Sequence, residues 1–139
     1  MGFRLGRRAH VIGVELSPDR AHAVVLDAWP GRARKTFATD WDPTRPAELV
    51  AQLMQQLGPT RRIALSVGFG FLYLKHVKLP PVPAAERRRM IALEPDRFFP
   101  VQDQALVVAL APETNVAFAA DAEQIQQWIA AFERWGAVE

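Results

Sequence analysis

Residues 10–27 read as two apolar strands folded back on each other about a Ser17-Pro18-Asp19-Arg20 turn, and nothing else in the chain constrains the fold so tightly. Residues 10–16 and 21–28 alternate or run apolar, and the four-residue loop between them closes a hairpin. Glu15 places a carboxylate on the first of these strands, one residue from its end. A hairpin of this kind must lay its apolar face on other elements, and the segments that follow supply them.

Lys35–Thr39 predicts a third short strand after the Pro30-Gly31 turn. Thr44 stands as a helix cap with Pro46 in the first turn. Leu49, Val50, Leu53 and Leu57 then recur on one helical face until Gly58-Pro59 ends it. Arg62–Val67 reads as a buried strand broken by Gly68-Phe69-Gly70. Phe71–Leu79 reads as another, with Phe71, Tyr73, Lys75, Val77 and Leu79 on one face, and Pro80, Pro81 and Pro83 stop it.

A helix is expected from Ala84. Pro95 inside it would remove a hydrogen bond and clash one turn back, at about 3 kcal/mol, so the helix should kink or end near Glu94. Phe98-Phe99 would pack the next turn. Ala105–Ala111 and Asn115–Ala120 flank Pro112-Glu113-Thr114 as a second hairpin. Asp121 caps a last helix, with Gln124 placed as in a capping box and Ile125, Trp128, Ile129 and Phe132 on one face, and Gly136 stops it. The order is strand-strand-strand-helix-strand, then strand-helix-strand-strand, then helix. It predicts an α/β fold in which the second group is inserted into the first.

A chain of 139 residues suits one domain or two small lobes around one core, and with half of its residues hydrophobic it can bury one. No run approaches the roughly 18 apolar residues that span a bilayer. The basic start lacks the apolar stretch of a secretory signal. Without cysteine there are no disulfides or thiolate metal sites, which fits the cytosol. The net charge of +2 hides an asymmetry: residues 1–97 hold sixteen Lys/Arg against nine Asp/Glu, and residues 98–139 one against six. A basic front can meet anionic lipid, nucleic acid or an acidic protein surface, or can reflect nothing beyond arginine-rich codon usage.

Few residues suggest chemistry. Gly68-Phe69-Gly70-Phe71 lacks the Gly-Lys-Ser/Thr ending of a Walker loop. His10, His22 and His76 show no metal-ligand spacing, and Ser17 and Ser66 lack a positioned His and carboxylate. Arg87-Arg88-Arg89 reads either as a solvated helix face or as a dock for an acidic segment or lipid headgroups. Nucleic acid is disfavoured, because no aromatic residues interleave with these arginines. Strand 71–79 could accept a peptide as an added strand.

Val11-Ile12-Gly13-Val14-Glu15-Leu16-Ser17 with Ala21–Leu26, Leu79-Pro80-Pro81, the Glu94–Pro100 segment and Val116–Ala120 leading into Ile125–Gly136 together resemble a known family. It is the PilM/GspL branch of the FtsA-related actin-like ATPase superfamily. The resemblance implies a partial actin-like (ribonuclease H-like) lobe, with residues 1–70 and 121–139 as subdomain 1A and residues 71–120 as an inserted 1C interaction subdomain.

In that family the hairpin faces phosphate, with an Asp for hydrated Mg²⁺, a small turn residue and a Lys or Gln on the second strand. The corresponding residues are Glu15, Ser17 and His22, and all three depart from the pattern. The resemblance therefore implies no cofactor in this chain, with weak ATP-Mg²⁺ binding left to a longer parent, and no enzyme activity. It implies a cytoplasmic scaffold, peripheral at the inner membrane, of a type IV pilus or type II secretion platform. Partners would be PilN-type or GspM/GspE-type proteins, and a lone half-fold should self-associate. The neighbourhood implied for partner binding is Phe71, Tyr73, Leu79, Arg87, Arg88, Met90 and Leu93. The alternative is the N-terminal part of an actin-like ATP-binding protein, whether ATPase, sugar-kinase-like or FtsA-like division protein.

Overall fold

The computed structural model describes residues 11–26, 33–100 and 104–139. In chain order the elements are β1 (Val11–Leu16), β2 (Arg20–Leu26), β3 (Ala33–Asp40), α1 (Pro46–Leu57), β4 (Arg62–Val67), β5 (Tyr73–His76), α2 (Ala84–Leu93), α3 (Pro95–Phe98), β6 (Leu106–Ala111), β7 (Val116–Asp121), α4 (Ala122–Glu133) and β8 (Ala137–Val138). They fall into two compact units, one of residues 71–126 and one holding the chain on either side of it.

The first unit is a five-stranded sheet in the order β3-β2-β1-β4-β8. β1, β2 and β3 are antiparallel neighbours, while β4 runs parallel to β1 and β8 parallel to β4. Alternation along the strands divides the faces. Ile12, Val14 and Leu16 of β1, Ala21, Ala23 and Val25 of β2 and Ile63 of β4 are buried. Leu49, Val50 and Leu53 are the buried face of α1, and Trp128, Ala131 and Phe132 that of α4. Each of the larger buried aliphatic side chains contributes about 1.5–3 kcal/mol.

Indole donors tie the loops to this core. Trp128 gives its Nε1–H to the Pro43 carbonyl at 3.0 Å and meets Trp41 edge-on at 5.5 Å between centroids, and Trp135 gives its own to the Gly58 carbonyl at 2.9 Å. Gly58 ends α1 with φ +78°, a conformation that costs a side-chain-bearing residue about 1 kcal/mol.

The second unit is an antiparallel sheet in the order β5-β7-β6. Its core gathers Val77, Ile91, Phe99, Leu110, Ala117 and Ala119, with Leu79 and Phe98 packed against them. α2 ends at Leu93 and α3 starts with Pro95 in its first turn, so the proline breaks the helix at Glu94 as the sequence predicts. Asp121 caps α4, its Oδ1 accepting the N–H groups of Glu123 and Gln124 at 3.0 and 3.3 Å.

Three expectations need correction. Thr44 caps nothing: its N–H and hydroxyl both donate to Asp42 Oδ1, at 2.9 and 2.7 Å, and α1 begins at Pro46 without a side-chain cap. The strand expected over 71–79 shortens to Tyr73–His76, because Phe69–Phe71 form a 3₁₀ turn. The chain does not finish on a helix: Ala137 and Val138 add a fifth strand beside Arg62 and Ile63, locked by an Arg62–Glu139 ion pair at 2.6 Å. The same pair raises the Arg62 pKa above its ordinary value through the hydrogen bond to Glu139.

Candidate functional site

Glu15 lies opposite His22 on β2 and opposite Ser66 on β4. All three are exposed, on the sheet face turned away from buried Ile12, Val14 and Leu16. That face floors an open cleft of about 600 Å³, whose lining also includes Gly13, Val24 and Ala64. The structure thus brings two of the three sequence-predicted hairpin residues into one cleft. Small side chains make the floor, and one carboxylate and one imidazole supply the ionisable groups.

Ser17, the third, lies beyond the strand end in the turn, and the turn's polar groups are largely taken up by the fold. The Ser17 N–H donates to the Arg20 carbonyl at 2.8 Å, and the Ser17 carbonyl accepts the Trp41 indole N–H at 2.6 Å. The Leu16 carbonyl accepts the Gly68 N–H at 2.7 Å, and the Asp19 carbonyl accepts the Trp41 backbone N–H at 3.2 Å. Pro18 has no N–H to give, and its ring lies against Gly70, where an added Cβ would come within 2.5 Å of it. Asp19 adds an exposed carboxylate to the same turn.

A phosphate needs several convergent amide donors. Neither Ser17, whose N–H is taken by Arg20, nor Pro18 offers one, and Glu15 is longer than the carboxylate that the resemblance calls for at the metal. No group of three or more His, Asp or Glu suited to a metal occurs among the described residues. Sequence reasoning missed Trp41, which anchors the turn; its contacts lie at Ser17 and Trp128, far along the chain in both directions.

The seven residues expected to meet a partner separate in the structure. Leu79 packs on the second unit's core and Phe71 is half-buried in the 3₁₀ turn. Arg87 turns inward: Nε donates to the Val82 carbonyl at 3.1 Å, and Nη1 donates to the Pro112 carbonyl at 2.9 Å and to the Asn115 side chain. It clamps the start of α2 to the β6–β7 turn, where Asn115 takes the left-handed φ of 52°. Tyr73, Arg88, Met90 and Leu93 are exposed, Leu93 by 70%. Tyr73 lies on the β5 edge, whereas α2 packs against β6 at the opposite edge.

A mixed sheet in the order β3-β2-β1-β4-β8, followed through β4 by an inserted three-stranded unit, defines a partial actin-like lobe. Solved structures of low sequence identity share this fold. The PilM-PilN type IV pilus biogenesis complex superposes with a TM-score of 0.67 at 18% identity, over 94% of this chain and 46% of that one. The cytoplasmic domain of EpsL, an inner-membrane component of the type II secretion system of Vibrio cholerae, gives 0.62 at 13% identity, over 94% and 56%. A Bacteroides thetaiotaomicron protein of actin-like ATPase fold and unknown function gives 0.53 at 9% identity, over 99% and 55%. The chain therefore spans about half the length of each. No protein-family model matches the chain, and no curated protein matches it.

Proposed function

We propose that this chain is a non-catalytic cytoplasmic scaffold of a type II secretion or type IV pilus assembly platform, and that it binds the cytoplasmic segment of an inner-membrane partner. The likeness to the PilM-PilN complex over 94% of the chain carries this reading. The hairpin turn supports the non-catalytic part, since the Ser17 N–H serves the Arg20 carbonyl and Pro18 has no N–H to offer a ligand. Among the described residues no helix is long and apolar enough to cross a membrane, and attachment at the inner membrane through the partner is part of the proposal.

A PilN-type or GspM/GspE-type protein is the partner class proposed, with exposed Tyr73 and its surroundings as contact residues and no nucleic acid or cofactor. Self-association is proposed as well, because the sheet face bearing Glu15 and His22 has no helix over it among the described residues. The test is a titration with the N-terminal peptide of a PilN-type protein, followed by fluorescence anisotropy. Saturable binding that Tyr73→Ala weakens is expected, and no binding to any platform peptide overturns the proposal. Saturable ATP-Mg²⁺ binding in calorimetry would instead favour an ATP-binding protein.

A further inference from the structure

β6 and its neighbour α2 present a combination that the platform reading does not use. β6 is an edge of the three-stranded sheet, and no described strand lies beyond it. Every second residue of such a strand points its N–H and C=O outward. Edge strands are ordinarily guarded by a charge, a proline, a bulge, short length or a covering helix or loop. β6 carries no charge, proline or bulge and is not short: its six residues are Leu106-Val107-Val108-Ala109-Leu110-Ala111, its register with β7 runs unbroken, and α2 packs against it with a groove left between them. The other edge, β5, has four residues and carries Lys75 and His76. β6 is therefore the longer and wholly apolar edge.

Beside it, a groove of about 370 Å³ runs between β6 and α2, edged by Arg88 and Arg89 and floored by Ala92, Val108 and Leu110. Arg20, Arg45, Arg62 and Arg97 each have a carboxylate within 4.0 Å. Arg88 and Arg89, both exposed, have none among the described residues. Two adjacent guanidinium groups, without a carboxylate among the described residues, therefore flank an apolar strand edge.

We infer that this groove receives an extended acidic segment of a partner protein, which adds to β6 as a fourth strand. Side chains of an added strand alternate between faces. Those turned to α2 would be carboxylates paired with Arg88 and Arg89. Those turned the other way would be apolar and would cover Val107, now 49% exposed, and Ala109. The segment thus alternates acidic and apolar residues; its backbone supplies affinity through β6, and its charge fixes the register. The inference rests on the second unit alone and survives if the platform reading fails.

The probe is a fluorescein-labelled octapeptide of alternating Glu and Val, titrated into the whole chain beside its Gln-for-Glu counterpart. The Glu peptide should bind about tenfold tighter, within what two charge pairs of up to about 1 kcal/mol each allow, and should weaken as salt rises. Arg88→Ala/Arg89→Ala, which leaves Arg87 and the core intact, should remove that difference with an unchanged melting curve. Amide shifts should concentrate on Leu106–Ala111. The inference is overturned by absent binding, by equal binding of the two peptides, or by shifts that fall outside β6 and α2. It is also overturned if a thymidine oligonucleotide or phosphatidylserine vesicles bind the same arginines more tightly than the peptide does.

Discussion

At the scale of single residues, the three arginines of α2 show how neighbours of one type take different roles. The inward positions of α2 are Ala84, Arg87 and Ile91, spaced three and four apart, so the first arginine faces the sheet while Arg88 and Arg89 face solvent. A charged residue on the buried side removes the apolar periodicity that sequence reading depends on. Arg87→Met keeps the length of the side chain but leaves the Val82 and Pro112 carbonyls without their donor. It should cost about 1–3 kcal/mol in urea unfolding followed by circular dichroism, whereas Arg88→Met should stay within about 0.5 kcal/mol. Equal effects would show that the clamp contributes nothing.

Asp42 makes a second case at this scale. The Thr44 hydroxyl, the Thr44 N–H and, more weakly, the Arg45 charge hold its carboxyl below the usual 3.8. A group depressed in the folded state stabilises above its free-chain pKa, and that contribution fades as pH falls through the folded value. Asp42→Asn should therefore flatten the acid limb of stability below about pH 4, and Thr44→Val should return the Asp42 titration, read by NMR, toward 3.8.

Elements differ in how far their causes lie along the chain, and this decided what could be read. The β1–β2 hairpin, α1, the break at Pro95 and α4 rest on turn residues, caps and periods within a few positions, and all were legible. β8 was not: two residues carry no period, and their place is fixed by Arg61, Arg62 and Ile63 some seventy-five positions earlier. β5 misled because all four of its residues are exposed, so its alternation does not mark a buried face.

The candidate site was read in part. The pairing of Glu15 with His22 follows from the hairpin register, but the use of the turn's carbonyls by Trp41 and the seat of Pro18 on Gly70 depend on remote contacts. Gly70→Ala tests that seat. With the Pro18 ring in the way, the 3₁₀ turn or the hairpin must shift, at about 1–3 kcal/mol. Tryptophan emission should report an earlier thermal transition; an unchanged one would mean that the turn adjusts freely.

At the scale of the whole molecule, the two units carry separate cores and, by position, separate optical probes. Trp41, Trp128 and Trp135 belong to the unit that holds residues 1–70 and 127–139, and Tyr73, the chain's single tyrosine, belongs to the other. Phe99 is 2% exposed at the centre of the second core, and Phe99→Ala should cost about 3–5 kcal/mol there. A core built on Val77, Ile91, Leu110 and two alanines cannot close over the space left by a phenyl ring, so most of that cost should appear. If each unit folds on its own core, the circular dichroism transition splits and its earlier phase moves down, while tryptophan emission melts where it did before. If both signals move together, the units unfold as one. That second outcome would change the reading of every variant proposed in the second unit, because the loss of the Arg87 clamp or of Phe99 would then be shared with the sheet that carries Glu15 and His22.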